Sequence, residues 1–129
     1  MGCDLEQVEP EEARRAYARA LELDPDYAEA HLNLGRLLHH EGQLRAAESH
    51  YRWALSLRGD DAVAAFNLGV VLEDQGKTDE AIATYQAAIA LDAHFAEPHF
   101  NLSRLYEDKD EQVAAFRHLK TYRKLLVGR

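Results

Sequence analysis

The sequence predicts an all-α fold of stacked helical hairpins, and three observations carry that prediction. The strings Asn33-Leu34-Gly35, Asn67-Leu68-Gly69 and Asn101-Leu102-Ser103 recur every 34 residues. A second set keeps the same period: Ala13/Tyr17/Ala20, Ala47/Tyr51/Ala54, Ala81/Tyr85/Ala88 and Ala115/Leu119/Tyr122. Within a repeat, His31, Leu34, Gly35 and Leu38 fall at i, i+3, i+4 and i+7, which is one face of a helix. Small and large residues at fixed offsets with this period mark helical-hairpin repeats, and no β architecture of known repeat length shares the pattern.

The elements follow in order. Helices are expected at 10–23, 27–41, 44–57, 61–75, 78–91, 95–108 and 111–126. Pro10 and Pro98 stand where a first helical turn tolerates a missing N–H. Asp26 and Glu29 have the spacing of a capping box at the start of the second helix. Gly42 and Gly76 punctuate the turns inside hairpins. Gly35, Gly69, Ala47 and Ala81 are expected where two helices cross, because a larger side chain would push the helices apart and open voids. Tyr51 and Tyr85 are expected to fill the space these small residues leave. The chain divides into a partial repeat at 1–27 and repeats at 28–61, 62–95 and 96–129, all in one array.

These residues resemble the tetratricopeptide repeat (TPR), whose pattern runs Trp-x2-Leu-Gly-x2-Tyr, then Ala-x3-Phe, then Pro. The chain has His31-x2-Leu34-Gly35-x2-Leu38 with Ala47-x3-Tyr51, then Ala65-x2-Leu68-Gly69-x2-Leu72 with Ala81-x3-Tyr85. The third repeat, His99-x2-Leu102-Ser103-x2-Tyr106 with Ala115-x3-Leu119, departs furthest. The family's Trp is missing throughout, and its Pro survives only as Pro25, with Gly59 and Ala93 at the other two positions. The resemblance implies a right-handed superhelix of about three and a half antiparallel hairpins. The Ala/Arg-rich run from Glu11 to Tyr51 is also similar to repeat segments attached to bacterial helix-turn-helix regulators of the MerR type, which implies a bacterial source.

At the N-terminus, Gly2-Cys3-Asp4-Leu5-Glu6 lines up with Gly69-Val70-Val71-Leu72-Glu73, the end of a first helix. The chain is therefore expected to start inside a repeat, as a segment of a longer protein. Lipidation at Gly2 or Cys3 is disfavoured, since Glu6 stands where a myristoylation signal wants Ser or Thr. One cysteine, Cys3, excludes an internal disulfide framework, and a reducing cytoplasm is the expected compartment.

The formal net charge of −8 argues against a nucleic-acid partner. Residues 111–129 are locally +4 through Arg117, Lys120, Arg123, Lys124 and Arg129, read as the solvated face of a terminal helix. No apolar run approaches the length of about 20 residues that a membrane helix needs. No partner of either kind is therefore expected for this segment. His39 and His40 are adjacent, so their side chains diverge by about 100° on a helix and do not converge on a metal. His31 and His99, at the family's Trp position, are expected to pack. No phosphate-cradling loop, nucleophile elbow or metal motif is present, so neither a cofactor, a metal nor an enzymatic activity is expected.

The resemblance implies that the first helix of each hairpin lines a concave wall, and that an extended peptide or a helix of a partner protein binds there. The positions concerned are Leu32, Asn33 and Arg36, then Phe66, Asn67, Val70 and Glu73, then Phe100, Asn101, Arg104 and Glu107. Asn33, Asn67 and Asn101 form a ladder, and an amide can pair with peptide backbone through both donors and acceptor. The carboxylate clamp of chaperone-binding relatives wants Lys, Asn, Asn, Lys and Arg where this chain has Leu32, Arg36, Asn67, Glu97 and Asn101. Only Asn67 matches, and Glu97 would repel a C-terminal carboxylate. The competing expectation is self-association through repeat ends, motivated by Ala13, Tyr17 and Ala20 at one end and Val113, Phe116 and Leu119 at the other.

Overall fold

Residues 10–129 are described in a computed structural model. They form seven helices and no strand. Two compact units divide the chain, the first ending at Gly59 and the second running Asp60–Arg129. The first unit holds α1 (Pro10–Leu23), α2 (Ala28–His40) and α3 (Leu44–Leu57). The second holds α4 (Ala62–Asp74), α5 (Thr78–Leu91), α6 (Glu97–Asp108) and α7 (Gln112–Val127). Helices α2 and α3 pair as a hairpin, as do α4 with α5 and α6 with α7. Helix α1 lies against α2, and α5 lies against α6. The predicted spans 10–23, 44–57 and 78–91 agree residue for residue, and the other four shift by one or two residues at their ends. The readings made on Met1 to Glu6 lie outside the described residues.

Each hairpin turn ends its first helix in the same way. Gly42 (φ 83°) and Gly76 (φ 80°) adopt the left-handed conformation. In the first turn the Gly42 N–H donates to His39 O at 3.0 Å and the Gln43 N–H to Leu38 O at 2.9 Å. These are the two bonds of a Schellman cap, which satisfies carbonyls that a helix end otherwise leaves open. Gly76 and Lys77 repeat the pair on Glu73 O and Leu72 O, both at 2.9 Å. In the third hairpin the left-handed residue is Asp110, φ 61°, with its N–H on Glu107 O at 2.9 Å. Asp tolerates this conformation better than most residues but still pays for its Cβ. Asp110→Gly is therefore expected to raise the melting temperature, with a gain of about 1 kcal/mol or less; a lowered midpoint in thermal denaturation would count against this reading.

The capping box at Asp26 and Glu29 is not formed. Helix α2 starts at Ala28, so the cap position falls on Tyr27, which makes no side-chain cap bond. Asp26 instead donates its backbone N–H to Asp24 Oδ1 within the loop, at 3.1 Å. At the matching position of α4 the cap is Asp61, whose Oδ1 accepts the Ala64 N–H at 3.0 Å.

The crossings are as tight as the small residues suggested. A Cβ on Gly35 would lie 2.8 Å from the Tyr51 ring, and one on Gly69 would lie 2.5 Å from the Tyr85 ring. Both tyrosines are buried, with Ala47 and Ala81 packed fully beside them. The third hairpin pairs the smaller Leu119 with Ser103, whose hydroxyl donates to Ala115 O at 2.8 Å. A larger residue at the crossing is thus matched by a smaller one opposite, and its hydroxyl is satisfied by backbone.

His31 and His99 are buried at the helix pairings, 2% and 7% exposed, so their role is packing, but each also meets a second histidine. His31 Nδ1 lies 3.1 Å from His50 Nδ1, and His99 Nδ1 lies 2.9 Å from His118 Nδ1. His31 Nε2 is 2.8 Å from Pro25 O. A carbonyl can only accept, so that nitrogen carries the proton, His31 Nδ1 is the acceptor, and His50 Nδ1–H donates to it. Trp53 stacks on His31 at 4.5 Å, and Tyr106 stacks on His118 at 5.6 Å. Burial lowers the pKa of His50, His99 and His118, and the partner histidine lowers His50 and His118 further.

Candidate peptide-binding face

In the second unit, α4 and α6 place the predicted residues around one tyrosine. Tyr85 Oη donates to Glu73 Oε1 at 2.9 Å and accepts from Asn101 Nδ2 at 3.1 Å. Glu73 Oε2 then takes Arg104 Nη1 at 2.5 Å. Glu73, Asn101 and Arg104 are therefore brought together, and they lock α6 onto the α4–α5 hairpin. Burial pushes the Tyr85 phenol well above its usual range, and its bond to Glu73 adds to the rise. The Glu73 carboxylate raises the Arg104 guanidinium. An ion pair exposed on one side is worth little by itself, about 1 kcal/mol or less, so it positions more than it stabilises.

Phe66 is half-buried, with its ring 5.7 Å from Tyr85 and 5.2 Å from Phe95. It is a packing residue with one edge outward. Asn67 and Val70 are half-buried beside it on α4. Phe100 is 45% exposed and touches Tyr122 at a ring distance of 5.2 Å. Glu107 is exposed and does not join this group; it borders a cavity with Gln112 and Phe116 instead. In the first unit, α2 carries Leu32 and Asn33 half-buried and Arg36 exposed. Tyr51 there is pushed up to about 12 by burial, against the opposing pull of Arg36.

Sequence reasoning treated Tyr85 only as filler and missed that its hydroxyl links Glu73 to Asn101. A phenol can fill a small-residue crossing and still present a polar tip, and only the neighbouring repeat shows what meets that tip. The histidine pairs were also missed, although a signal existed: His31/His50 and His99/His118 share a spacing of 19 and lie two repeats apart.

Among the described residues no helix is long and apolar enough to cross a membrane, and no group of three or more possible metal ligands occurs.

TPR repeat sequences match residues 9–42, and tetratricopeptide repeat sequences match residues 41–94 and 74–122. No curated protein matches the chain in sequence. Among solved structures, one of MamA is 23% identical and aligns over 97% of this chain and 76% of that chain, with a TM-score of 0.84. MamA 41-end from Desulfovibrio magneticus RS-1 is 21% identical, over 97% of this chain and 71% of that chain, with a TM-score of 0.87. These likenesses concern the fold. Stacked hairpins of this kind serve as protein-interaction scaffolds, with surfaces built from successive repeats. The chain belongs to the tetratricopeptide-repeat family.

Proposed function

We propose that the α4–α6 face of the second unit binds an extended peptide of a partner protein. The observation that supports this most is the half-exposed Phe100 beside Asn101, whose amide is already oriented by Tyr85. Asn101 spends one N–H on Tyr85, and its carbonyl and second N–H serve the ligand's backbone. Asn67 supplies a second amide, while Phe66 and Val70 form the apolar floor. The Glu73–Arg104 pair fixes the spacing between the two helices. Orientation before binding lowers the entropy cost of association. Helix α2 offers Leu32, Asn33 and Arg36 for the same purpose in its own unit, and Glu107 contributes only negative charge at the rim.

The test uses peptides selected on the whole chain from a random displayed library. Asn67→Ala and Phe100→Ala should each weaken the selected peptides about tenfold or more, since a lost amide strands a buried backbone group at a cost of about 1–3 kcal/mol. Asn101→Ala is less clean, because it also removes a bond to Tyr85. Reversing Lys120, Arg123 and Lys124 to Glu should leave these peptides bound. Peptides that ignore Asn67 and Phe100 but are lost on charge reversal would overturn the reading. Self-association is the second reading, favoured by the exposure of Val113 and Phe116, 75% and 65%. A monomer whose mass stays constant with concentration in light scattering would dismiss it.

A further inference from the structure

Hairpins α2–α3 and α6–α7 each set two imidazoles nitrogen to nitrogen across the helix pairing. His31 Nδ1 stands 3.1 Å from His50 Nδ1, and His99 Nδ1 stands 2.9 Å from His118 Nδ1. Each pair joins a buried histidine of the first helix to a half-buried one of the second. Packing alone does not ask for histidine here, since the middle hairpin closes with Ala65 and Thr84 at the same positions. The first pair is also held in place. His31 Nε2 keeps its proton on Pro25 O at 2.8 Å, so the Nδ1 lone pair points at His50. Trp53 lies flat on the His31 ring, 16° from parallel. A metal-bound histidine characteristically gives its other N–H to a carbonyl or carboxylate, which fixes the tautomer and turns the free lone pair to the ion.

We propose that His31 and His50 form a two-imidazole site for a divalent transition-metal ion of the nickel–copper class, and that His99 and His118 form a second one. With metal–nitrogen bonds of about 2.1 Å, nitrogens at these separations subtend about 90° at a shared ion. That is the angle between neighbouring ligands of a square-planar or octahedral ion, the geometries of copper(II) and nickel(II) with nitrogen and oxygen ligands. A tetrahedral ion would need the nitrogens about 3.4 Å apart. Magnesium and calcium take oxygen ligands and do not suit the pair. No group of three possible ligands occurs among the described residues, so water completes the coordination sphere. One proton moves on binding: His50 gives up its Nδ1–H to the ion's approach and carries the proton on Nε2, so both rings stay neutral. The neighbours His39 and His40 diverge, whereas these ligands lie 19 residues apart and meet only when the hairpin closes. The site uses none of the residues of the α4–α6 face and stands apart from the function proposed above.

Trp53 is the chain's one tryptophan, and its place on His31 makes its fluorescence a reporter of the first site. Nickel(II) chloride titrated into the whole chain, stripped of metal, should quench that fluorescence saturably and raise the melting temperature. Magnesium chloride should do neither. His50→Thr, which installs the residue of the middle hairpin, and His50→Gln should each weaken the quenching about tenfold or more, since even a lost outer partner of a metal ligand costs that much. Circular dichroism checks that both variants fold. His118→Thr should leave the Trp53 response as it is and remove one equivalent of nickel in calorimetry. The proposal is overturned if nickel does not quench saturably, or if it quenches the folded His50 variants as well as the native chain. The pair then serves packing and a hydrogen bond only. An unchanged stoichiometry in His118→Thr would overturn the second site.

Discussion

Gly69→Leu is expected to lower the stability of the second unit by about 3 kcal/mol, seen as a reduced urea midpoint. Even a single added carbon would stand 2.5 Å from the Tyr85 ring, closer than nonbonded carbons approach. Tyr85 cannot swing aside cheaply. It is fully buried, and its hydroxyl holds both Glu73 and Asn101. The third hairpin suggests a rescue, because it pairs Ser103 with Leu119 at the same two positions. Gly69→Ser alone should destabilise through the clash. Tyr85→Leu alone should destabilise through a cavity and two stranded partners. Combined, they should cost less than the sum, because the ring that meets the new Cβ is gone. The new hydroxyl can then donate to Ala81 O, as Ser103 donates to Ala115 O. Additive losses in this double-mutant cycle would show that Gly69 and Tyr85 are not coupled through contact.

Stability is expected to fall as the pH drops from about 7 to about 5, where histidines take up protons. His50, His99 and His118 all have pKa values below the ordinary histidine value of 6.5 in the folded chain, chiefly through burial. The unfolded chain then binds more protons over this window, so folding stability rises with pH. The contribution is complete above about 6.5, is lost as the pH falls through the histidine range, and levels off below the folded values. Geometry gives the cause. With both members of a pair charged, two N–H groups would face each other across 3.1 Å in one pair and 2.9 Å in the other. Pro25 O and Trp53 adjoin His31, Tyr106 and Arg117 adjoin His118, and none of these is a carboxylate that would offset the repulsion. The middle hairpin has Ala65 and Thr84 at the matching positions, so it supplies the control. His31→Ala with His50→Thr, and His99→Ala with His118→Thr, should flatten the dependence of the urea midpoint on pH. An unchanged slope would sink this account. A separate acid step lies lower, where Glu97, held down mainly by its bond to Arg129, takes up its proton.

The repeat period alone determined the helices, their order and most of their ends. A stacked array uses each small and large residue for the same contact in every hairpin, so Gly35, Gly69, Tyr51 and Tyr85 announce the crossings by position. Local rules did less well where one residue's shift decides the outcome. Asp26 has the spacing of a cap but stands one position too early, and Asp110 takes a left-handed turn without being glycine. What a side chain's polar end meets was not readable at all, because it depends on the next hairpin and not on its own. The ladder asparagines look alike in sequence, yet Asn101 is bound to Tyr85 and linked through it to Glu73 and Arg104. Glu73 and Glu107 are likewise equivalent by period, but α6 follows one and supplies Arg104, while the other borders an open cavity. Composition and spacing set the layers; tertiary contact between successive hairpins decided which of the repeated residues are committed within the fold and which stay exposed.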